Sequence, residues 1–354
     1  MNNKHNYAID VLRIIAMIMI IFHHLAIHGG AAIENTSLNS IALNIFLLGG
    51  KTGVNIFILI TGYYSYKILK IKYHKLAHLG LKTTFYSVLL TIAAFITGSA
   101  AISKKILLKS FFPLIFGNGY WFIIIYFELC LLMPILNKVI IDLDKKEHEY
   151  FLLTGFIIFT VLPFVIQPYI EINEFGYSNL IWFIYIYFLG AYISKYNISD
   201  RFENKMLLSL LLIGSIFAHI VFSVLSSIEF GPSILKPMIN SLASYNANAI
   251  FPLFISIIFM ILFTKISIKE NKLLASLGAA TFGIYLFHDN ANFKTFLWGK
   301  LFHIPELYVS KLFIPASFVV VIIIFIAGYL LDLIIEYIVN MVINLVEKKH
   351  IQNA

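Results

Sequence analysis

The first apolar stretch, from Asp10-Val11-Leu12-Arg13 to Phe22-His23-His24, carries ionisable side chains inside a segment long enough to enter a lipid bilayer. At about 100° and about 1.5 Å per residue, Arg13 and His24 lie about 20° apart around a helix and about 16 Å apart along it. An ionisable group at membrane depth costs at least about 2.5 kcal/mol, so a functional role is the first interpretation. The structural alternative is that Arg13 reaches the membrane surface and His24 forms a hydrogen bond in the core.

The composition indicates an integral membrane protein. The chain has 354 residues, of which 60% are hydrophobic and 12% are charged, and its mean hydropathy is +0.87. A soluble domain carries about 25% charged residues, roughly twice as many. The net charge of +8 could suggest a nucleic-acid partner, but the basic residues lie between apolar spans. That placement instead matches the excess of Lys and Arg in the cytoplasmic loops of membrane proteins, so we expect no nucleic-acid partner.

Apolar runs of about 20 residues match the thickness of a bilayer core. We predict an all-α polytopic membrane protein with about ten transmembrane helices in one bundle, formed by a single domain over residues 1–354. The predicted spans are 8–28, 42–64, 78–100, 119–141, 150–168, 178–196, 205–228, 247–266, 273–291 and 310–341. The first span lacks a small-residue exit site, so we expect it to remain as a helix and not to be cleaved. In the last span, Asp332 and Glu336 are expected to mark where the chain leaves the lipid.

The distribution of Lys and Arg predicts the orientation. Most of them fall in segments that share a side with the N-terminus, which places both termini in the cytoplasm and the protein in the plasma membrane. Helical rise then places Arg13 in the inner half of the bilayer, with His24, His288 and Trp121 in the outer half and Glu128 near the middle. Whether the outer residues share one pocket stays open at this point.

Several motifs resemble, in order, those of the membrane-bound acyltransferase-3 family. They are Asp10-Val-Leu-Arg13-Ile-Ile-Ala16 followed by His24; Gly53-Val-Asn-Ile-Phe57 with Thr61-Gly62-Tyr63; Tyr120-Trp121-Phe122 with Pro134; and Thr281-Phe-Gly-Ile-Tyr285-Leu-Phe-His288. Each motif is weak alone, whereas the ordered set is specific and covers most of the chain. The departures from the family pattern are Thr61 in place of serine, isoleucine after Phe122, and Asp289-Asn290 after His288.

The resemblance implies an O-acyltransferase of the cell envelope. Members commonly transfer acetyl from cytoplasmic acetyl-CoA, as the acyl donor, to a hydroxyl of a glycan or glycolipid at or beyond the membrane. The family's arginine and its two histidines correspond to Arg13, His24 and His288. The departures from the family pattern concern the choice of acceptor more than the reaction, and that acceptor could be a polysaccharide or a lipid-linked sugar.

The chemistry of these residue types agrees with the resemblance. A sugar hydroxyl needs a base with a pKa near 7 within hydrogen-bond reach, so His24 could be that base or could accept the acyl group itself. The planar guanidinium of Arg13 suits a phosphate of CoA, and pairing with Asp10 is an equally open role. His288 could orient the acceptor, polarise the thioester carbonyl, or be a hydrogen-bonded core histidine.

Further candidates for substrate or cofactor binding are Asp10, Tyr120, Trp121, Glu128 and Tyr285. Glu128 could orient a histidine or pair with a cation from another helix. No metal is expected, because His74 and His78, although spaced i,i+4, have no accompanying glutamate. The Gly50-Lys51-Thr52 segment is not a phosphate-binding loop, because isoleucine occupies the position of that motif's first glycine.

Two other classes of function compete with an acyltransferase. A transporter or flippase of lipid-linked sugars could use Arg13 to bind a phosphate, but the sequence lacks paired, Gly/Pro-interrupted half helices in two similar halves. A glycan polymerase would normally carry a large polar outer loop, and the sequence has none. The sequence predicts no particular oligomeric state.

Overall fold

The computed structural model describes residues 5–29, 37–117, 119–166 and 178–352, with side chains up to residue 345, and within these ranges the chain is helical without β-strands. The α-helices, in chain order, are α1 Tyr7–His28, α2 Leu38–Ser65, α3 Tyr73–Ile96, α4 Lys104–Phe111, α5 Pro113–Phe116, α6 Trp121–Asp142, α7 Lys145–Phe156, α8 Leu162–Ile166, α9 Asn179–Lys195, α10 Lys205–Ser227, α11 Lys236–Ala243, α12 Ile250–Lys265, α13 Lys272–His288, α14 Ile304–Tyr308 and α15 Phe313–Gln352. Short π-helical turns at Ile157–Val161 and Phe296–Leu301 and a 3₁₀ turn at Ile198–Arg201 complete the helical structure.

The membrane class predicted from composition is confirmed. Each predicted span overlaps one helix, or the α7–α8 pair. Within the described ranges, 7 helices are long and apolar enough to cross a bilayer. The remaining three, α9, α12 and α13, have 17, 16 and 17 residues, so the count of ten stays a prediction.

Glycines allow α1 and α2 to pack closely. A β-carbon at Gly53 would lie 2.7 Å from the carbonyl oxygen of Ala16, and one at Gly50 would collide with the ring of His23. The side chain of Asn6 accepts a hydrogen bond from the Ala8 amide and caps the start of α1. The first helix, which carries the candidate site residues, is therefore fixed at its beginning and along one face.

Helix α13 lies against α1 and runs in the same direction. Gly278 is so close to α1 that a β-carbon there would lie 2.7 Å from the β-carbon of Asp10. At the other end of the two helices, the rings of His24 and His288 have their centres 4.9 Å apart. The N-terminal ends of α1 and α13 thus share one side of the bundle, which we call the lower end, and their C-terminal ends share the upper end.

Helix α15 runs in the opposite direction and faces α13 with a carboxylate. Its Phe318 packs edge-to-face on Phe22 near the upper end, with ring centres 5.0 Å apart. Lower down, a β-carbon at Gly283 would collide with the carboxylate of Asp332. Helix α15 continues to Gln352 and Asp332 is only 4% exposed inside the bundle, so the exit from the lipid at Asp332 and Glu336 stays a prediction.

Candidate active site

A cavity of about 620 Å³ extends through the bundle between the lower and upper ends of α1. Arg13 lines it near the lower end, and His24 lines it near the upper end. The two residues are separated by about 16 Å of helical rise. The prediction that they share one face of α1 is therefore confirmed, and that face borders an internal space, not a packed core.

At the lower end, Arg13 is paired but still accessible from the cavity. Its Nη1 donates to Oδ1 of Asp10 at 2.8 Å, and the Arg13 side chain remains 30% exposed. Asp10 is buried and also pairs with the imidazole of His5. The structural role predicted for Arg13, an ion pair with Asp10, is thus present, and it leaves part of the guanidinium facing the space that a ligand would enter.

The lower end also carries a charge cluster in which Lys82 and Asp332 are buried. Lys82 Nζ lies 2.8 Å from a carboxylate oxygen of Asp332 and 2.8 Å from one of Glu336. His78 Nε2 lies 2.8 Å from the other oxygen of Glu336, and the hydroxyl of Tyr86 donates to Asp332 at 3.0 Å. Because these contacts join α3 to α15 across most of the sequence, the order of the residues along the chain gave no sign of the cluster.

At the upper end, three histidines and a carboxylate meet. The ring of His28 is 5.2 Å from that of His24, centre to centre. Asp289 Oδ1 lies 3.0 Å from His28 Nε2, and Asp289 Oδ2 lies 3.9 Å from His24 Nε2. The sequence placed His24 and His288 at one level, and the structure brings them into contact. Asp289, treated above only as a departure from the family pattern, is the carboxylate that His24 and His28 share.

The hydrogen bonds fix the tautomer of His288. Its Nδ1 lies 2.6 Å from the carbonyl oxygen of Ile284, and a carbonyl can only accept, so Nδ1 carries the proton. Nε2 is therefore a free lone pair when the ring is neutral. Nε2 of His288 and Nδ1 of His24 are both buried, and neither has a hydrogen-bond partner among the described residues. His288 Nε2 can thus accept a proton, and His24 Nδ1 can do so when the proton of the neutral ring is on Nε2, the nitrogen nearer Asp289.

One set of side chains in the described ranges has a spacing that could hold a metal. One ligand atom each from His24, His28 and Asp289 lies within 4.8 Å of the other two. Two histidines and a carboxylate are a common zinc ligand set. The same atoms also contact one another directly, with Asp289 between His24 and His28, and these contacts need no metal. The expectation of no metal stays a prediction.

His23 differs from its neighbour in its partners. Its Nδ1 donates to the carbonyl oxygen of Leu47 at 2.8 Å, and its ring packs against Gly50 of α2. It also lines the cavity. His23 therefore faces α2, and the two adjacent histidines are available for different tasks.

The aromatic candidates fall into two groups. Trp121 and Tyr285 line the cavity, and the ring of Tyr285 is 6.5 Å from that of His24. Tyr120 instead is fully buried beside the cavity: its hydroxyl donates to the carbonyl oxygen of Leu286 at 2.9 Å and accepts from Asn290 at 2.8 Å. Tyr120 therefore holds the end of α13, where His288 and Asp289 are placed.

Glu128 lies away from the site. It is exposed on α6, it does not line the cavity, and it makes no ion pair with any residue in the described ranges. Neither of the partners predicted for it, a histidine or a cation of another helix, is in contact with it. The rotation of α6 about its axis decides this, and the sequence did not predict that rotation.

The comparison with protein families agrees with this geometry. The sequence model of acyltransferase family 3, described as an acyltransferase domain, matches residues 6–333. No curated protein and no solved structure matches the chain. The match includes α1, α13 and the first half of α15, and it covers the residues of the two cavity ends described above except His5 and Glu336. The chain therefore belongs to the acyltransferase-3 family, and it is a membrane enzyme that transfers acyl groups other than aminoacyl groups.

Proposed function

We propose that the protein is an O-acetyltransferase of the plasma membrane, with both termini in the cytoplasm. It moves acetyl from cytoplasmic acetyl-CoA to a hydroxyl of an extracytoplasmic or lipid-linked glycan of the cell envelope. One observation carries the proposal: a single cavity joins Arg13 at the lower end to His24 at the upper end. A donor that enters from one side and an acceptor from the other can therefore meet inside the bundle.

The lower end suits the charged part of the donor. CoA carries phosphates, and a guanidinium binds phosphate oxygens through paired N–H donors. Arg13 offers such donors next to the cavity, and Lys82 and His78 also line the cavity. Asp10, Asp332 and Glu336 hold these cations in place before a ligand arrives. The thioester arm of CoA is long and flexible, and it would extend from this end along the cavity.

The upper end suits the transfer step. His24 Nδ1 removes the proton of the acceptor hydroxyl as its oxygen bonds to the thioester carbonyl carbon. The carbon–sulfur bond then breaks, and the CoA thiolate leaves and is protonated by the imidazolium of His24. Asp289, 3.9 Å from His24 Nε2, stabilises that imidazolium electrostatically. A two-step route, in which His24 first carries the acyl group, uses the same atoms.

His288 acts on the acceptor in this scheme. Its Nδ1–H is bonded to the carbonyl oxygen of Ile284, so its free Nε2 can accept a hydrogen bond and cannot donate one while the ring is neutral. Polarising a carbonyl requires a donor, whereas orienting a hydroxyl requires an acceptor. The geometry thus favours orientation of the acceptor over the other active role considered for His288.

The test is acetyl transfer by the purified protein in proteoliposomes. Radiolabelled acetyl-CoA and envelope glycan from cells lacking the protein are supplied, and both free CoA thiol and labelled glycan are measured. We expect equal amounts of the two products, and neither with His24→Ala. Movement of a lipid-linked sugar without release of CoA thiol would support the transporter alternative and overturn the proposal.

A further inference from the structure

Lys51 occupies an unusual position for a lysine. It lies in the middle of α2, next to Gly50, which packs against the ring of His23. Both the predicted span 42–64 and helix α2 contain it. Its side chain lines the cavity on the same side of the bundle as His24. A cation at this depth requires a specific partner or a function.

The partners of Lys51 distinguish it from the other cations of the cavity. Its Nζ lies 3.9 Å from the centre of the Trp121 ring, a cation–π contact in which the negative face of the ring attracts the ammonium. No carboxylate of the described residues lies within ion-pair distance of it, whereas Arg13 and Lys82 each contact carboxylates. The ring stabilises the ammonium without neutralising it, so the upper end keeps a positive charge that is directed at the cavity.

The wall beside Lys51 is aromatic. Trp121 is followed by Phe122, whose ring lies 5.6 Å from that of Tyr285 and is stacked on that of Tyr126 at 5.8 Å. Flat aromatic surfaces next to a few polar groups are typical of sites that bind sugar rings from their apolar face. The same wall ends at the histidines, because the centre of the Tyr285 ring lies 6.5 Å from that of His24.

We propose that the acceptor is an anionic glycan whose carboxylate or phosphoryl group binds Lys51 while its ring lies along Trp121. This inference rests on the proposed acetyltransferase function and names the substrate class of its upper end. The donor does not supply this anion, because its phosphates are bound at the lower end, about 16 Å away along α1. An anion at Lys51 pairs with a cation that has no carboxylate of the described residues within ion-pair distance, and it places a neighbouring hydroxyl beside His24.

The experiment compares two acceptor pools. Envelope glycan from cells lacking the protein is de-O-acylated and separated by anion exchange into a bound, anionic pool and an unbound, neutral pool. Wild-type protein receives radiolabelled acetyl-CoA and each pool in turn. We expect labelling of the anionic pool at least about tenfold above the neutral pool at equal sugar concentration, the scale of one charge-assisted contact. Equal labelling of both pools would overturn the inference of an anionic acceptor but not the proposed acetyltransferase function.

Chemical treatment of the anionic pool identifies the charged group. Reduction of carboxylates to alcohols removes a uronate, and hydrofluoric acid removes phosphodiesters. Loss of labelling after only one treatment names the group that Lys51 binds. Retention of full labelling after both treatments contradicts the inference. Absence of label from every untreated pool, with no CoA thiol released, would instead count against the proposed function itself.

Variants locate the effect at Lys51. Lys51→Gln should raise KM for the anionic pool about tenfold, with a smaller change in kcat, and Lys51→Arg should restore most of the loss because it keeps the charge. Lys104→Gln, an exposed lysine of α4 outside the cavity, is the matched control and should leave KM unchanged. A fall in kcat with unchanged KM on both pools would show that Lys51 acts on the reaction centre and not on acceptor charge.

Discussion

The two ends of the cavity carry similar residue types, but the charged side chains have different partners at each end. At the lower end, Arg13 and Lys82 each contact carboxylates, and those carboxylates also join neighbouring helices or turns. At the upper end, Asp289 is shared by histidines, and Lys51 has an aromatic ring as its partner. Removing one partner of a buried ion pair leaves an uncompensated charge and destabilises the fold, whereas a cation without a carboxylate partner or a free lone pair can be completed by the ligand. This difference predicts which substitutions will affect folding and which will affect turnover.

The largest expected effect concerns which end faces which compartment. If the lower end is cytoplasmic, a reporter fused to the C-terminus should be active only as a cytoplasmic reporter, and a tag inserted at Asn173 should be labelled from outside intact cells. Asn173 lies outside the described residues, in the predicted loop that is free of lysine. Protection of the tag together with an exterior C-terminus would reverse the roles assigned to the two ends.

At the upper end, His24→Ala should lower acetyl transfer by at least about 10²-fold, the usual contribution of a positioned base. Folding should be nearly unchanged, because His24 Nδ1 has no partner among the described residues. His23→Ala is the matched control: it removes the bond to the Leu47 carbonyl and should cost far less activity. Equal losses in the two variants, measured by labelled product at equal folded protein, would indicate packing roles for both.

The next effect in size is expected at Asp289. Asp289→Asn keeps the shape of the side chain but removes the negative charge 3.9 Å from His24 Nε2, so the imidazolium formed during transfer loses its counter-charge. We expect kcat to fall by about 10-fold to 10²-fold, with a smaller change in KM for acetyl-CoA. His28→Gln removes the other partner of Asp289 and should be milder. A normal rate in well-folded Asp289→Asn protein would remove the carboxylate from the mechanism.

The sequence predicted the relative positions of residues that lie on the same helix. Helical periodicity alone placed Arg13 and His24 on one face, and rise per residue placed His288 at the level of His24. The i,i+3 spacing also predicted the pair of Asp10 with Arg13, which is present in the structure. These are local consequences of helix geometry, and they need no knowledge of the neighbouring helices.

Contacts between helices were the part that the sequence did not predict. Lys82 meets Asp332 because α3 and α15, far apart in the chain, are neighbours in the bundle. Tyr120, a candidate for substrate binding, holds the end of α13, while Glu128 faces outward. Each depends on the rotation of a helix whose hydrophobic residues surround it almost evenly, so the apolar pattern gives little direction. The adjacency of Asp289 to His288, and the i,i+4 spacing of His24 and His28, were usable signals that pointed to the shared carboxylate.

The smallest expected effect is at the lower end, where Arg13 is shared between a structural pair and the donor. Arg13→Lys keeps the charge but loses the planar fork, so we expect weaker CoA binding, by several-fold, with glycan binding little changed. Arg13→Gln should weaken it further. If Arg13 serves only its pair with Asp10, then Arg13→Gln and Asp10→Asn should lower the melting temperature together, and CoA affinity should survive in the folded fraction. Calorimetric titration of CoA into purified variants, alongside their melting temperatures, separates the two. Unchanged CoA affinity in folded Arg13→Gln protein would leave the lower end with a stabilising role and place the donor phosphates elsewhere.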